Sequence, residues 1–563
     1  MEAETETKKP YEYISEITLN TSEKVSITQN DIVVFVGPNN AGKSQSLRDI
    51  YELSESRKNP VVITDIKIQK DLSGIKNLLN SYSVSHKTGD ITQYKGFQFT
   101  INNHAITSTG DVLNQLRNVF VTYLNTESRL GICSPPGMIN RTQPKQHPIH
   151  FAAFDPRFRQ RLSENFKRAF GVDITPDTQF GQTIPLCMGE PIHFTQDFLD
   201  EQLRLEAYAE ELGKYPQVQN QGDGIRSFTG ILLNLMIDYY CTFLIDEPES
   251  FLHPPQAYIM GQIIGENLTD KKQAFISTHS EEIIKGLLAV CSDRVKIIRI
   301  TRDGNINHFS ILDNKRIHEV WNDPLLKYSN IMTGLFHKTV VLCESDSDCK
   351  FYSIIAGYLA KQQNKYDETL FIHCGGKQRM AKTAAALKAL NVTVKLIPDI
   401  DVLNDEDTFR RITDASGIDW NSIQPDYRII VSNIQNQKDT VIKRKDFKDT
   451  VDGILSSATE ENLSKGELKK IQSAVKVPSK WEVIKHGGIA AFPAGDATIH
   501  WDSVNARLKE NDVFIVPCGE LECFIKEVGG HGPEWVNTVL ETYSHLDDPV
   551  YEKVKKFIEK LDL

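Results

Sequence analysis

Apolar positions along this chain fall mostly in short continuous runs that end on glycines or acids and give way to residues at helical spacing. The run from Asp31 to Val36 reads as a buried strand, and Ser44 to Leu53 behind it as a helix. Ahead of it, Tyr13 to Leu19 and Val25 to Ile27 alternate, which predicts a small antiparallel sheet leading into that strand. Ile231 to Ile245 predicts a buried helix running into a strand that ends at Asp246, and Gln273 to Ser277 predicts another. The second half repeats the unit three times, with strands at His337 to Cys343, up to His373, and Val392 to Pro398. Helices follow the first two, at Cys349 to Leu359 and Met380 to Leu390. A last strand is expected at Asp512 to Pro517 and an amphipathic helix at Val550 to Leu561. Strands alternating with helices predict an α/β chain.

Two stretches break this rhythm. Residues 53–221 mix helical pieces (Ile75 to Leu79, Val112 to Phe120, Asp155 to Phe170) with loops, and read as an insertion whose role is not legible beyond a place for dimerisation. Residues 404–504 are polar and partly basic, with helical text at Asp446 to Ser457 and Glu467 to Val475, and read as a second insertion. A polar helical stretch from Arg316 to Ser329 joins the halves. The expected domains are therefore 1–335 and 336–563.

Composition narrows the class without choosing a partner. Of 563 residues, 40% are hydrophobic and 25% charged, so large cores are possible and disorder is not the default. No apolar run of about 18 residues is uninterrupted, and the acidic first residues lack a signal-peptide pattern, so a cytoplasmic protein without a membrane partner is expected. Nine cysteines without a C-x-x-C pair point to reduced, buried thiols. The net charge of −11 argues against a globally basic nucleic-acid coat. Locally basic stretches around Lys443, Arg444 and Lys445, and from Lys465 to Lys485, leave a local groove open, although a solvated charged helix explains any one of these lysines as well.

The candidate chemistry begins where the first strand meets its helix. Gly37-Pro38-Asn39-Asn40-Ala41-Gly42-Lys43-Ser44 has the form G-x-x-x-x-G-K-[ST] in the context a phosphate loop needs, because backbone N–H groups at a helix start must point at phosphates. Asn39, Asn40 and the two glycines would frame the phosphates, Lys43 would pair with them, and Ser44 would hold Mg²⁺. A glycine turn is the plain alternative, and the flanking strand and helix weigh against it. The strand ending on Asp246-Glu247-Pro248-Glu249 fits a Walker B element, Asp246 positioning Mg²⁺ and Glu247 polarising the attacking water. His279, at the next strand end, falls where a γ-phosphate sensor would sit. Gly222 to Ser227 opens a helix, placed here at Phe228 to Tyr239, where Arg226 and Ser227 could cap a second phosphate.

These four elements, in this order, resemble the ABC-type ATPases of the SMC and RecF kind. The resemblance implies head-to-tail pairing, with the phosphate loop of one subunit facing Gly222–Ser227 of another. Gly-Asp-Gly-Ile-Arg-Ser departs from the usual signature, so the γ-phosphate donors stay open.

In the second half the strand ends carry acids. Glu344, Asp346 and Asp348 follow the first strand, Gly375-Gly376-Lys377 the second, Asp399 and Asp401 the third, and Glu520 and Glu522 the last. Asp399 and Asp401, two apart on an extended segment, would face the same side. Carboxylates converging without fixed basic partners would repel by several kcal/mol unless cations sit between them, and hard oxygen donors suit Mg²⁺ or Mn²⁺. Two such ions can clamp a phosphodiester. For each acid alone, a solvated turn is the simpler account; the ordered set is what favours a site.

Glu344, the glycine pair and Asp399-x-Asp401 resemble a TOPRIM domain. An ABC-type head followed by TOPRIM resembles the OLD (overcoming lysogenization defect) nucleases over nearly the whole chain. The resemblance implies an ATP-regulated, metal-dependent DNA endonuclease of bacterial anti-phage systems such as Gabija and some retrons. Its implied metal ligands are Glu344, Asp348, Asp399 and Asp401, with Glu522 a candidate and Asp346 a poorer one. It also implies a lysine near the metals, for which Lys526 is a candidate, a homodimer or larger homo-oligomer through the heads, and, as in some relatives, a defence-system partner such as a reverse transcriptase with its msDNA. Two rivals stay open: a non-cutting ATP-driven DNA-binding or maintenance ATPase, and a TOPRIM nuclease acting on RNA such as tRNA.

Overall fold

The computed structural model describes residues 9–54, 59–94, 97, 99–102, 117, 119–179, 181–190, 192–194, 199–269, 271–304, 306–312, 331–365, 368–438, 443–456, 462–475 and 477–563. Contacts divide the chain into two units, residues 1–327 and 328–563. The stretch expected to join the halves, 316–329, lies outside the described residues, as does most of the helix expected at 112–120. Among the described residues no helix is long and apolar enough to cross a membrane.

Unit 1 opens with β1 (Tyr11–Leu19) and β2 (Lys24–Ser26), antiparallel as their alternation predicts. The third member of this sheet, β4 (Ile63–Asp71), comes from within the segment read as an insertion. Between them in sequence lie β3 (Ile32–Val36) and α1 (Lys43–Leu53). β3 is fully buried and joins a six-stranded sheet with β5 (Val121–Leu124), β6 (Thr242–Asp246), β7 (Gln273–Ser277), β8 (Val295–Asp303) and β9 (Ile306–Leu312). The order is β9-β8-β3-β7-β6-β5, parallel throughout except for β9. Buried Gln273 stitches the two sheets together: its Oε1 accepts from the Ile14 N–H (2.8 Å) and its Nε2 donates to the Ile14 carbonyl (3.1 Å). A buried amide satisfied on both sides holds that junction in one register.

Three helices of this unit bear on the site. α2 (Asp223–Leu235) starts five residues before the expected helix and ends four before it, so Arg226 and Ser227 lie inside its first turns. α3 (Pro254–Asn267) and α4 (Glu281–Cys291) pack together, and Gly261 and Gly286 allow it: a Cβ on either would lie within 2.4 Å of the other helix's backbone.

Unit 2 is built on β10 (Thr339–Cys343), β11 (Thr369–His373) and β12 (Thr393–Ile397), all parallel in the order β11-β10-β12. The expected last strand does run parallel beside β12, but as an extended segment held by few bonds: Phe514 N–H to the Leu396 carbonyl (2.8 Å) and Val516 N–H to Pro398 (3.1 Å). α5 (Asp346–Gln362) and α6 (Lys377–Ala389) follow β10 and β11. The core under the sheet gathers Val341, Phe351, Tyr352, Trp535 and Phe557, so the C-terminal segment completes this unit. The second insertion is helical, with α7 (Trp420–Gln435), the pair Arg444–Ser456 and Lys465–Val475, α8 (Lys480–Gly487) and α9 (Asp496–Glu510).

Candidate nucleotide site and carboxylate centre

In unit 1 the loop after β3 is shaped by its glycines. Gly37 takes φ +139°, and a Cβ there would lie 1.9 Å from the Ile300 carbonyl oxygen, so only glycine starts this turn. Gly42 caps α1 at φ +107° without any side-chain cap, which leaves first-turn N–H groups open to an anion. The buried Lys43 ammonium folds over the loop and donates to the carbonyls of Gly37 (2.9 Å) and Pro38 (2.7 Å). Asn307 donates to the Ala41 carbonyl (2.8 Å) and accepts from Asn20 (3.1 Å), bracing the loop from outside its own motif.

The acids at the end of β6, Asp246, Glu247 and Glu249, follow a strand that β7 separates from β3. The Asp246 carboxylate accepts from the Ser277 hydroxyl, and Glu247, held at φ +48°, donates its N–H to the Ser277 carbonyl (2.9 Å). Glu247 Oε1 lies 3.6 Å from His279 Nε2, while Glu249 accepts from the His279 N–H (2.7 Å). Burial pushes Glu249 up to about 7. Burial, helped by Lys43, lowers His279 below the usual histidine range. A cleft of about 740 Å³ is lined by Asn40, Lys43, Ser44, Glu247, His279 and Arg302, a size within the range of small-ligand sites. Ser227 is fully buried, so its hydroxyl lies inside the packing of α2 rather than on a surface offered to a second phosphate. Arg226 is partly exposed and pairs with Asp223 (3.0 Å).

In unit 2 the structure gathers Glu344, Asp399 and Asp401, with a carboxylate oxygen from each lying within 4.8 Å of the others. The route differs from the expected one. Asp399 is the cap of a 3-10 turn, Ile400–Asn404, and Asp401 sits inside that turn, so the two acids meet through a bend and not along an extended segment. Glu344 Oε1 accepts the Asp399 N–H (3.0 Å), which ties the ends of β10 and β12.

The expected lack of fixed basic partners is also corrected. Lys377 Nζ lies 2.9 Å from Asp401 Oδ1, and Lys485 Nζ lies 3.7 Å from Asp401 Oδ2 and 3.3 Å from Glu520 Oε2. Asp401 is thus ion-paired, and Lys377 and Lys485 also act on Glu344 and Asp399, though less than burial does. Burial first, then the neighbouring acids, pushes Glu344 up to about 7 and Asp399 well above the carboxylate range. Burial works against the Lys485 ammonium, but Asp401, Glu520 and Asp399 outweigh it and hold its pKa above the usual value. Two buried oxygen donors whose ionisation is opposed first by burial and then by the neighbouring acids fit a divalent cation, which would favour the ionised form of both.

Asp348 stands apart from that trio. It closes a capping box on α5, accepting from the Ser345 N–H (2.8 Å), and it feels Glu522 and His531. Burial raises its pKa. Glu522 accepts from the Gly532 N–H (2.7 Å) and bonds His531. Asp346 is exposed. Lys526, the lysine candidate, donates instead to the His486 carbonyl (2.8 Å). Lys377 was within reach of sequence reasoning: a lysine in the first turn of a helix opposes the helix dipole and so needs an acid nearby.

Residues 335–401 match the family model for the overcoming lysogenization defect protein-like TOPRIM domain. The Old nuclease of Escherichia phage P2 is 20% identical over 324 residues, 56% of this chain and 48% of that protein; the chain thus spans about half the length of this curated relative. Among solved structures, an SMC head bound to the C-terminal winged-helix domain of ScpA aligns at 11% identity and TM-score 0.35, over 55% of this chain and all of the other. The SMC head domain from Thermotoga maritima aligns at 9% identity and TM-score 0.29, over 54% of this chain and all of the other. These structural likenesses are too loose to carry an argument.

Proposed function

For this member of the OLD family, we propose an ATP-regulated, divalent-metal-dependent DNA endonuclease that acts in bacterial anti-phage defence. The observation that carries the cutting activity is the convergence of Glu344, Asp399 and Asp401 beside Lys377 and Lys485. Mg²⁺ or Mn²⁺ held there would polarise a phosphodiester and lower the pKa of a bound water. Glu344, Asp399 and Asp401 would hold the ion, and Asp348 with Glu522 would hold a second. Lys485 is the better candidate than Lys526 for the lysine near the metals, where its ammonium can offset charge building on a phosphate. It has the reach because α8 delivers it to Asp401 and Glu520.

In unit 1, Gly37–Ser44 would hold the phosphates of ATP, with Ser44 and Asp246 on Mg²⁺, Glu247 activating water and His279 sensing the γ-phosphate. Arg226 would face the nucleotide of a second copy, making the assembly at least a homodimer. DNA as substrate, the defence role and a reverse-transcriptase partner rest on the family alone.

The test incubates the full chain with plasmid, single-stranded DNA and tRNA under Mg²⁺, with and without ATP, alongside Asp399→Ala/Asp401→Ala. Metal-dependent DNA cleavage that the double variant lacks supports the reading. Undiminished cutting by the double variant would remove the site assignment, and cutting of tRNA alone would change the substrate.

A further inference from the structure

Arg129 belongs to no motif singled out above, yet among the described residues it is the one arginine that ranks with the largest fully buried side chains. It lies on a short helix, Thr126–Ile132, directly after β5. Its guanidinium meets oxygens of the backbone and a hydroxyl: Nη1 donates to the Asp246 and Leu124 carbonyls (the latter at 3.4 Å) and Nη2 to Thr126 Oγ1 (3.3 Å). Nε is buried without a partner. Burial lowers its pKa, opposed by Asp246, Glu249 and Glu247 in that order. Arginine stays charged even so, and a buried cation without a paired carboxylate is costly unless something nearby repays it.

The same short helix reaches α2. A Cβ on Gly230 would lie 2.3 Å from the Arg129 carbonyl oxygen, so the two backbones are in contact. The Leu130 carbonyl accepts from Arg226 (3.3 Å), and the Cys133 thiol donates to the Arg226 carbonyl (3.0 Å). Thus one side of this helix grips the Walker B strand end and the other grips the start of α2.

We infer that Arg129 is a positioning residue for ATP turnover: it fixes the Asp246–Glu249 turn, offsets its three carboxylates, and links that turn to the Arg226 end of α2. This deepens the nucleotide-site reading and rests on it. Two consequences separate it from a residue that only fills space. Removing the charge leaves the acids less compensated, so Mg²⁺ should be held more tightly while turnover falls, because the turn is no longer fixed. Restoring charge without the planar fork should correct the first effect and not the second.

The experiment measures binding of a fluorescent ATP analogue and ATP hydrolysis against Mg²⁺ concentration for the full chain, Arg129→Gln and Arg129→Lys. For Arg129→Gln we expect nucleotide affinity close to that of the parent, kcat down about tenfold or more, and a half-saturating Mg²⁺ concentration several-fold lower. Arg129→Lys should return the Mg²⁺ requirement to the parent value with kcat still low, and it stands in if the glutamine variant does not fold. Parent-like kcat in both variants, or a lost kcat with an unchanged Mg²⁺ requirement in Arg129→Gln, overturns the inference. A parent protein that binds no nucleotide would instead overturn the nucleotide-site reading.

Discussion

The Gly37–Ser44 loop and the carboxylate centre both lie at carboxyl ends of parallel strands, where α/β sheets collect ligands, but they are assembled in opposite ways. Gly37–Ser44 is one contiguous loop: its shape comes from backbone conformations, and its single cation, Lys43, rests on the loop's own carbonyls. The carboxylate centre is assembled from five separated segments, at Glu344, Lys377, Asp399–Asp401, Lys485 and Glu520, and its charges are balanced only in part. The first is a cradle made by the main chain; the second is a set of side chains held in mutual tension until a cation arrives. A single substitution should therefore silence the loop cleanly, whereas changes at the centre should grade with the charge they leave uncompensated.

The largest effect expected is at the loop. Lys43→Ala should reduce ATP hydrolysis by about 10³-fold or more, since it removes the cation that the Gly37–Ser44 loop itself carries. Cutting by this variant should respond to ATP differently from the parent, with its Mg²⁺ requirement unchanged. If the Mg²⁺ requirement for cutting shifts instead, the two regions are not separable in the way described.

Next comes the centre. Lys485→Ala should lower cutting by about 10²-fold, and Lys526→Ala by much less, because of these two lysines it is Lys485 that pairs with Asp401 and Glu520 while Lys526 bonds the His486 carbonyl. Equal losses in both variants, measured as initial cleavage rates, would show that position near the carboxylates does not matter. For the loop's dependence on backbone, Gly37→Ala should destabilise unit 1 by about 3 kcal/mol or more, because the added Cβ meets the Ile300 carbonyl. Thermal melts followed by near-ultraviolet circular dichroism would report it, and a parent-like melt would mean that the loop is more plastic than drawn.

How much of this was legible from the sequence follows from the same contrast. Glycines, lysine and serine at fixed spacing named the loop, because everything that shapes it lies within eight residues. Asn307, which braces it, and Arg129, which holds the Asp246 carbonyl, come from distant segments and carry no local pattern. The acids of the centre were visible as a series of strand ends. How they meet was not: the Asp399–Asp401 bend and the lysines on Asp401 depend on tertiary placement, so the extended-segment argument and the premise that the acids lack fixed basic partners both failed. Asp348 could be picked as an acid near a helix start, yet the same position lets it close a capping box with Ser345, and sequence alone did not separate the two uses. Strand β4 was hidden because its paired partner, β1, lies more than forty residues earlier.

The smallest effect concerns unit 1 alone and leaves both sites untouched. Burial, and then His150, lowers His147 to about 4. The folded state therefore keeps this ring neutral, while the unfolded chain takes up a proton below the ordinary value of about 6.5. Stability is fully present above pH 6.5 and is lost as pH falls toward 4, by roughly 1–3 kcal/mol given partial exposure. His147→Asn keeps a cap acceptor for the Ile149 N–H, which the histidine ring now accepts at 3.2 Å. Its melting temperature should fall less than the parent's between pH 7.5 and 4.5; equal falls would place the acid sensitivity elsewhere.

The division of labour between the two regions is tested most directly by one paired assay. ATP hydrolysis and Mg²⁺-dependent DNA cleavage are measured on the same preparations of the parent, Lys43→Ala and Asp399→Ala/Asp401→Ala. The account predicts that Lys43→Ala loses hydrolysis but still cuts under some nucleotide condition, and that the double variant hydrolyses ATP at the parent rate but does not cut. A double variant that still cuts, or a Lys43→Ala protein that hydrolyses ATP normally, would contradict it.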